Sequence, residues 1–326
     1  MSRPYSAQVA YRHGAWSLPD PESVVMSTEQ FDRNAPVGVI GAGIMGTAFA
    51  TNLLSRGYKV HVYNRTPERA RPLADRGAVL HKSPRDLASS VSIVLTSLTD
   101  QDAVDSVALG PDGLLNGLGK GRLWMDLSTI DPDASVLHAE AARKAGVERL
   151  DVPVVGSNDL AQKGELILLV GGDERVFRKY EEFLKEIGKT VIYLGQAGNG
   201  HRMKLVINLY LGLTAESYAE ALVLARKLGF DARTFIDTID KTPHRNYYSS
   251  LKGPVIAKGD FSPAFSLNNL LKDLRLADGQ ARKVGAMLPL AEVALGRYAS
   301  AAERGEGHLD FSVIALDLLR ENGLSK

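Results

Sequence analysis

Residues 37–66 read VGVIGAGIMGTAFATNLLSRGYKVHVYNRT. Val37 to Ile40 is a short, β-branched apolar run of the kind that forms a buried strand. Gly41, Gly43 and Gly46 follow at once as G-x-G-x-x-G, with Ile44 and Met45 as the two intervening residues. An apolar-periodic segment through Ala48, Leu53 and Leu54 closes at Gly57, and Lys59 to Tyr63 gives a second strand. Strand, glycine turn, helix and strand in this order are the context that turns the glycine motif into a dinucleotide-binding expectation. The glycines permit a tight turn, close backbone approach to a pyrophosphate and close helix–strand packing. The helix N-terminus contributes free N–H groups and the positive end of its dipole.

The end of the second strand speaks to which dinucleotide. NAD-preferring folds place Asp or Glu there, whereas this chain has Asn64-Arg65-Thr66. A guanidinium and a hydroxyl suit a 2′-phosphate that a carboxylate would repel. NADP is therefore the expected cofactor and NAD a possible one, with a solvated loop cation the alternative reading of Arg65.

The rest of the composition narrows the function classes. The 326 residues suffice for two domains, and 44% hydrophobic with 24% charged residues is ordinary globular composition. A formal charge of +1 gives no basis for expecting nucleic acid or an anionic membrane as partner. The sequence has no cysteine, which removes disulfides, thiolate metal sites and cysteine nucleophiles and agrees with a reducing cytoplasm. No apolar run reaches the length of a membrane helix. Residues 1–35 read as a disordered extension: SLPDPES is punctuated by proline, Met26 is an alternative start, and the basic first part faintly resembles an organelle transit peptide.

Beyond Thr66, helical and strand patterns alternate. Pro67 to Arg76 reads as a helix and Val91 to Leu98 as a strand; a short helix capped by Asp100 follows, then a strand over Leu123 to Leu127. Asp131-Pro132 starts a helix, with Asp at the cap and Pro at the first position. Apolar runs at Leu150 to Val155, Leu166 to Val170 and Val191 to Leu194 complete an α/β pattern. The expected fold is a Rossmann-type, doubly wound, mostly parallel sheet over residues 36–197. Residues 198–326 are expected to form an all-helical domain, beginning with a long interdomain helix. The first half of that helix is apolar nearly all round and is expected to be buried. The later helices are expected to break at Thr242-Pro243, Gly253-Pro254 and Ser262-Pro263.

Lys204 and Asn208 lie four residues apart on this long helix and share one face. A lysine among apolar residues is costly unless paired or useful, and burial lowers its pKa toward the range of a general acid or base. A lysine snorkelling from the helix start remains the alternative. The histidines are scattered without ligand spacing, so no metal is expected, and His201 reads as a helix-start residue near the cofactor.

Four stretches together resemble the β-hydroxyacid dehydrogenase family, which includes 3-hydroxyisobutyrate dehydrogenases and glyoxylate or succinic semialdehyde reductases. They are VGVIGAGIMG with YNRT, DLST at Asp126 to Thr129, DVPVVGSNDLAQKGELILLVGG from Asp151, and GNGHRMKLVIN from Gly198 with LLKDLRLA after it. The G-x-G-x-x-x-K-x-x-x-N spacing is the most specific. The resemblance implies a catalytic role for Lys204 and substrate contacts from Asn208, Ser128, Gly156 and Ser157. It also implies that Lys272, with Asp273, approaches cofactor and substrate from the helical domain. Within the family, GSNDLAQKGEL, KGP at Lys252 to Pro254 and HLDFS near the C-terminus look most like the glyoxylate and succinic semialdehyde reductases. The chain departs from that group where Asn268-Asn269-Leu270-Leu271 precedes Lys272, and in His244 to Tyr248, which is expected to line the pocket. The implied activity is NADPH-dependent reduction of a short aldehyde or keto acid, or the reverse. The alternatives are a 3-hydroxyisobutyrate-type dehydrogenase, an imine reductase and a non-catalytic NADP-binding partner protein. The resemblance also implies that the helical domain over residues 198–326 serves substrate and oligomer contacts, with a small carboxylic acid and further copies of the chain, as a homodimer or homotetramer, as the partners.

Overall fold

A computed structural model describes residues 31–324; most of the N-terminal stretch read as an extension lies outside the described residues. From residue 31 the chain packs: Phe31 lies against Phe183 with ring centroids 5.2 Å apart, and Arg33 pairs with Glu186. The strands are β1 Val37–Ile40, β2 Val60–Tyr63, β3 Val79–Leu80, β4 Ile93–Thr96, β5 Leu123–Asp126, β6 Glu148–Asp151, β7 Val154–Val155, β8 Leu166–Gly172 and β9 Gly188–Tyr193. Between them run α1 Ile44–Ser55, α2 Arg71–Ala74, α3 Pro84–Ser89, α4 Gln101–Leu109, α5 Pro132–Lys144, α6 Asn158–Lys163 and α7 Glu174–Ile187. The remainder is helical: α8 Asn199–Lys227, α9 Ala232–Ile239, α10 Tyr247–Lys258, α11 Leu267–Lys283, α12 Pro289–Glu303 and α13 Ile314–Glu321.

The sheet order is β3-β2-β1-β4-β5-β6-β8-β7, with β9 paired to β8. All pairs are parallel except those of β8 with β6 and β7. The order reverses between β1 and β4, so the carboxyl ends of these two strands open the crevice in which doubly wound sheets bind ligands. β1, β4 and β5 are buried along their whole length, as near-continuous apolar strands covered on both faces should be. A second apolar core, around Tyr298, Leu267 and Leu222, joins α8 to the other C-terminal helices. The fold is thus a Rossmann unit followed by a helical C-terminal part.

Four expectations need correction. The helix expected over Pro67 to Arg76 is a 3₁₀ turn, Pro67–Arg69, followed by the short α2, because Pro72 has no N–H to continue the ladder. The apolar run Leu150 to Val155 is two strands split at Pro153: β6 lies between β5 and the end of β8, and β7 pairs with an earlier stretch of β8. The break expected at Gly253-Pro254 is absent: α10 runs through Pro254 to Gly259, which takes a left-handed φ of 67°. A Cβ on Gly253 would stand 3.0 Å from both Ile236 and the Tyr218 hydroxyl, so tertiary packing holds the helix together there. The first half of α8 is not buried all round, since Val206 is 59% and Tyr210 70% exposed. One stripe of α8 faces the sheet and the helical core while the opposite stripe faces outward.

The joint between sheet and helices is polar and closed to solvent. Asp151, at the end of β6, accepts from Gly198 N–H at 2.9 Å and His201 N–H at 3.3 Å, both at the start of α8. His201 Nδ1 lies 3.5 Å from the same carboxylate. Burial pushes the Asp151 carboxyl up, but His201, Arg149 and the Gly198 N–H outweigh it and hold it below the usual carboxylate range. Arg149 pairs with Asp126 at 3.5 Å and lies over Trp124. Removing one partner of such a buried set leaves the others uncompensated. Asp151→Ala should lower unfolding stability by about 3–5 kcal/mol in urea titration.

Candidate active site

The glycine turn divides its labour among three positions. Gly41 has φ 104°, and a Cβ there would lie 2.3 Å from the Ser97 carbonyl oxygen. A Cβ on Gly46 would lie 1.8 Å from the Gly41 carbonyl oxygen, so α1 can sit this close to its own strand only without a side chain. Gly43 faces open space, caps α1 with no side-chain acceptor, and no acidic residue occupies the first turn. This is a cradle of free N–H groups open to an anion, and it fits the pyrophosphate of a pyridine nucleotide. Asn64 braces the turn: its Oδ1 accepts from Ala42 N–H at 2.8 Å and its Nδ2 donates to the Thr66 carbonyl at 2.7 Å. Arg65 and Thr66 stand exposed beyond it, and no ion pair engages Arg65 among the described residues.

Gly43, Ile44, Met45 and Gly46 form one end of a cavity of about 600 Å³ between the carboxyl ends of the strands and the helical part. Ser128, Gly156, Ser157, Lys204, Asn208 and Lys272 line the same cavity. Residues separated by up to 229 positions in sequence thus share one space, which periodicity alone could not establish. Gly41, Asn64, Arg65 and Thr66 are outside its lining.

Local structure explains the G-x-G-x-x-x-K-x-x-x-N spacing. Gly198 caps α8 in a left-handed conformation, φ 87°. A Cβ on Gly200 would lie 2.5 Å from the Leu169 carbonyl oxygen and 2.7 Å from Asp151, so the helix meets the sheet only with glycine there. Lys204 and Asn208 follow on the next two turns of the same face. His201 is fully buried and donates from Nε2 to the Ser128 carbonyl oxygen at 3.0 Å. It belongs to the joint and not to the cofactor surface. Ser128 is further fixed by its N–H on Asp126 at 3.1 Å and by its Oγ, which accepts from Leu98 N–H at 3.0 Å. Its hydroxyl hydrogen remains to be donated.

Three lysines reach the cavity in different electrostatic states. Lys272 donates to Asp273 at 2.7 Å and to the Thr129 carbonyl at 2.5 Å. Asp273 is 1% exposed and also accepts from Asn208 Nδ2 at 2.6 Å. Lys252 pairs with Asp310 at 2.8 Å. Lys204 has no hydrogen-bond or ion-pair partner among the described residues. Burial lowers its pKa to about 8; Asp273 opposes that shift and Lys272 adds to it. Lys272 is thus paired and Lys204 is not, and the pKa of the Lys204 ammonium is brought down toward neutrality.

Of the divergent segment His244 to Tyr248, Asn246 and both tyrosines line the cavity, whereas His244 and Arg245 do not. Sequence reasoning attached no chemistry to Lys252, Asp310 or His308, and no periodicity links residues 58 positions apart. Among the described residues no group of histidines and carboxylates is placed to hold a metal ion, and no helix is long and apolar enough to cross a membrane.

Residues 36–195 match the family description "NAD binding domain of 6-phosphogluconate dehydrogenase", and residues 198–317 match "NAD-binding of NADP-dependent 3-hydroxyisobutyrate dehydrogenase". The chain is 34% identical to glyoxylate/succinic semialdehyde reductase 2, chloroplastic, of Arabidopsis thaliana, over 90% of this chain and 82% of that protein. It is 36% identical to reductase 1 of the same plant, over 85% of this chain and 96% of that one. The solved 3-hydroxyisobutyrate dehydrogenase of Mycobacterium tuberculosis with L-serine superposes with a TM-score of 0.78 at 30% identity, covering 87% of this chain and 99% of that one. Fold and site therefore define an NAD(P)-dependent oxidoreductase that acts on CH–OH/C=O groups. The chain belongs to the β-hydroxyacid dehydrogenase family.

Gly46→Ala forces the glycine turn away from α1, so affinity for the reduced pyridine nucleotide should fall by at least about tenfold while the fold persists. Fluorescence titration with NADPH and with NADH, with circular dichroism as the control, measures it.

Proposed function

We propose that the protein reduces a short aldehyde or keto acid of the glyoxylate or succinic semialdehyde type to the hydroxy acid, with Lys204 as general acid. The observation that carries this reading is the unpartnered Lys204 on the cavity wall, its pKa lowered to about 8. When bound, NADPH supplies the hydride for the carbonyl carbon. The Lys204 ammonium donates a proton from Nζ to the carbonyl oxygen as charge develops there; in the oxidative direction the neutral amine removes it. A fixed cation beside that oxygen needs no reorganisation during the reaction, which is where most transition-state stabilisation of this kind arises.

The other residues bind and orient. The free hydroxyl hydrogen of Ser128 and the Gly156-Ser157 backbone hold the substrate carboxylate. Asn208, tied to Asp273, keeps the remaining donor and acceptor of its amide for the substrate. Lys272 closes the cofactor side from α11 through its bond to Thr129. Arg65 and Thr66, exposed beside the glycine turn, suit the 2′-phosphate of NADP. The exposed apolar stripe of Val206 and Tyr210 supports a homodimer or homotetramer, and the absence of cysteine agrees with a cytoplasmic setting.

Lys204→Met should lower kcat for glyoxylate reduction by roughly 10²–10⁴-fold and leave the NADPH dissociation constant nearly unchanged. Retained turnover in that variant contradicts the assignment. The sign of the pH dependence follows from the group's two forms: reduction needs the ammonium and oxidation the amine. Reductive kcat/KM should therefore fall as pH rises through about 8, and oxidative kcat/KM should rise through the same point. Arg65→Ala should cut the NADPH-over-NADH preference by roughly tenfold or more, given the strength of charge-assisted contacts. An unchanged ratio in steady-state kinetics removes Arg65 from cofactor choice.

A further inference from the structure

The cavity continues past Lys204 and Ser128 to a far wall that the hydride and proton transfers do not use. There α10 meets the residues that lead into α11 and the turn before α13. Lys252, only 6% exposed, reaches this wall and donates to Asp310 Oδ2. The ion pair ties α10 to the C-terminal turn, but its charges do not simply cancel. Asp310 also accepts from Ala264 N–H at 3.2 Å and Phe265 N–H at 3.3 Å. Its other oxygen accepts from Ser312 N–H at 3.1 Å and Ser312 Oγ at 2.7 Å. Four donors besides the ammonium share the carboxylate oxygens, so Asp310 is held by more than Lys252 alone. Of the three N–H groups of Lys252, only the one on Asp310 has a protein partner among the described residues.

His308 stands two residues before Asp310 and lines the same wall. Its Nδ1 donates to the Gly305 carbonyl at 2.9 Å and no partner engages Nε2 among the described residues, so Nε2 donates to an anion only in the doubly protonated ring, with a proton taken up alongside the ligand. Phe265 and Phe311 border these groups, with the Lys252 ammonium 5.1 Å from the Phe311 ring centroid. A purely structural ion pair would serve the fold no better than an apolar pair of the same volume. Its placement on a cavity wall beside a second basic side chain is what asks for a ligand.

We propose that Lys252 and His308 form a second anion subsite, which receives a carboxylate at the far end of the substrate from its carbonyl group. This rests on reading the cavity as a carbonyl-acid site. Helix α11 sets the length. Its cap, Ser266, bridges to Asp310 at the far wall, and Lys272, six residues on, reaches Thr129 at the reacting end. Six residues of α-helix rise roughly 9 Å, so a short carbon chain spans the two ends. The substrate class is a small carbonyl acid that carries a second carboxylate, and the subsite discriminates by the cost of leaving Lys252 and His308 without that anion.

Calorimetric titration of the enzyme–NADPH complex with glutarate and with pentanoate, equal in carbon number, isolates the distal carboxylate. Wild type should bind glutarate at least about tenfold more tightly than pentanoate, the ratio expected for one charge-assisted contact. Lys252→Met and His308→Gln should each shrink that ratio while leaving pentanoate affinity unaltered. The exposed His308 is the variant that tests the subsite without disturbing the buried pair. Equal affinities in wild type, or a ratio untouched by His308→Gln, overturn the proposal. Turnover of glyoxylate with NADPH but no glutarate preference removes the subsite alone. A His308-dependent glutarate preference without carbonyl-acid turnover removes the reductase reading and leaves the subsite standing.

Discussion

The contact on which the structure depends is the buried carboxylate of Asp151 at the head of α8. It gathers the Gly198 and His201 N–H groups at the start of the helix and fixes where the helical part attaches to the sheet. His201 extends the contact to the Ser128 carbonyl, which ties the loop after β5 to the first turn of α8. Gly200 is what allows this, because a side chain there would collide with Leu169 and Asp151. Lys204 and Asn208 inherit their positions from that joint. The proposed site is thereby built on a helix and a strand end, where precise positioning is most easily held.

Charge is arranged around the cavity by selective pairing. Lys272 is neutralised by Asp273, and Lys252 in part by Asp310, while Lys204 is left alone in a desolvated place. Three lysines of the same intrinsic acidity thus acquire three uses. One bridges the two parts of the molecule, one ties α10 to the turn before α13, and one is brought by burial to a pKa of about 8. A second carboxylate beside Lys204 would return it to an ordinary cation.

Much of this was legible in the sequence, for identifiable physical reasons. The glycine turn could be read because its three positions obey steric rules that hold wherever a strand meets a helix and an anion. Asp131-Pro132 could be read because capping is local, and Asp131 does accept from Asp133 N–H at 2.9 Å. What escaped was non-local. Pro254 suggested a break that packing against Tyr218 and Ile236 overrides, and the apolar first half of α8 suggested burial on every side although Tyr210 faces outward. His201 read as a residue near the cofactor, since nothing in its neighbourhood announces Asp151, fifty positions earlier. Lys252 and Asp310 were visible only as parts of short motifs, and their pairing required the fold.

The central claim is that a single unpaired lysine is tuned by burial to hold and release a proton near neutrality. The most direct measurement is an NMR titration of the Lys204 side-chain amine, assigned by comparison with Lys204→Met. A midpoint near 8 is the predicted result. A midpoint at the ordinary lysine value of about 10.4 would contradict the account.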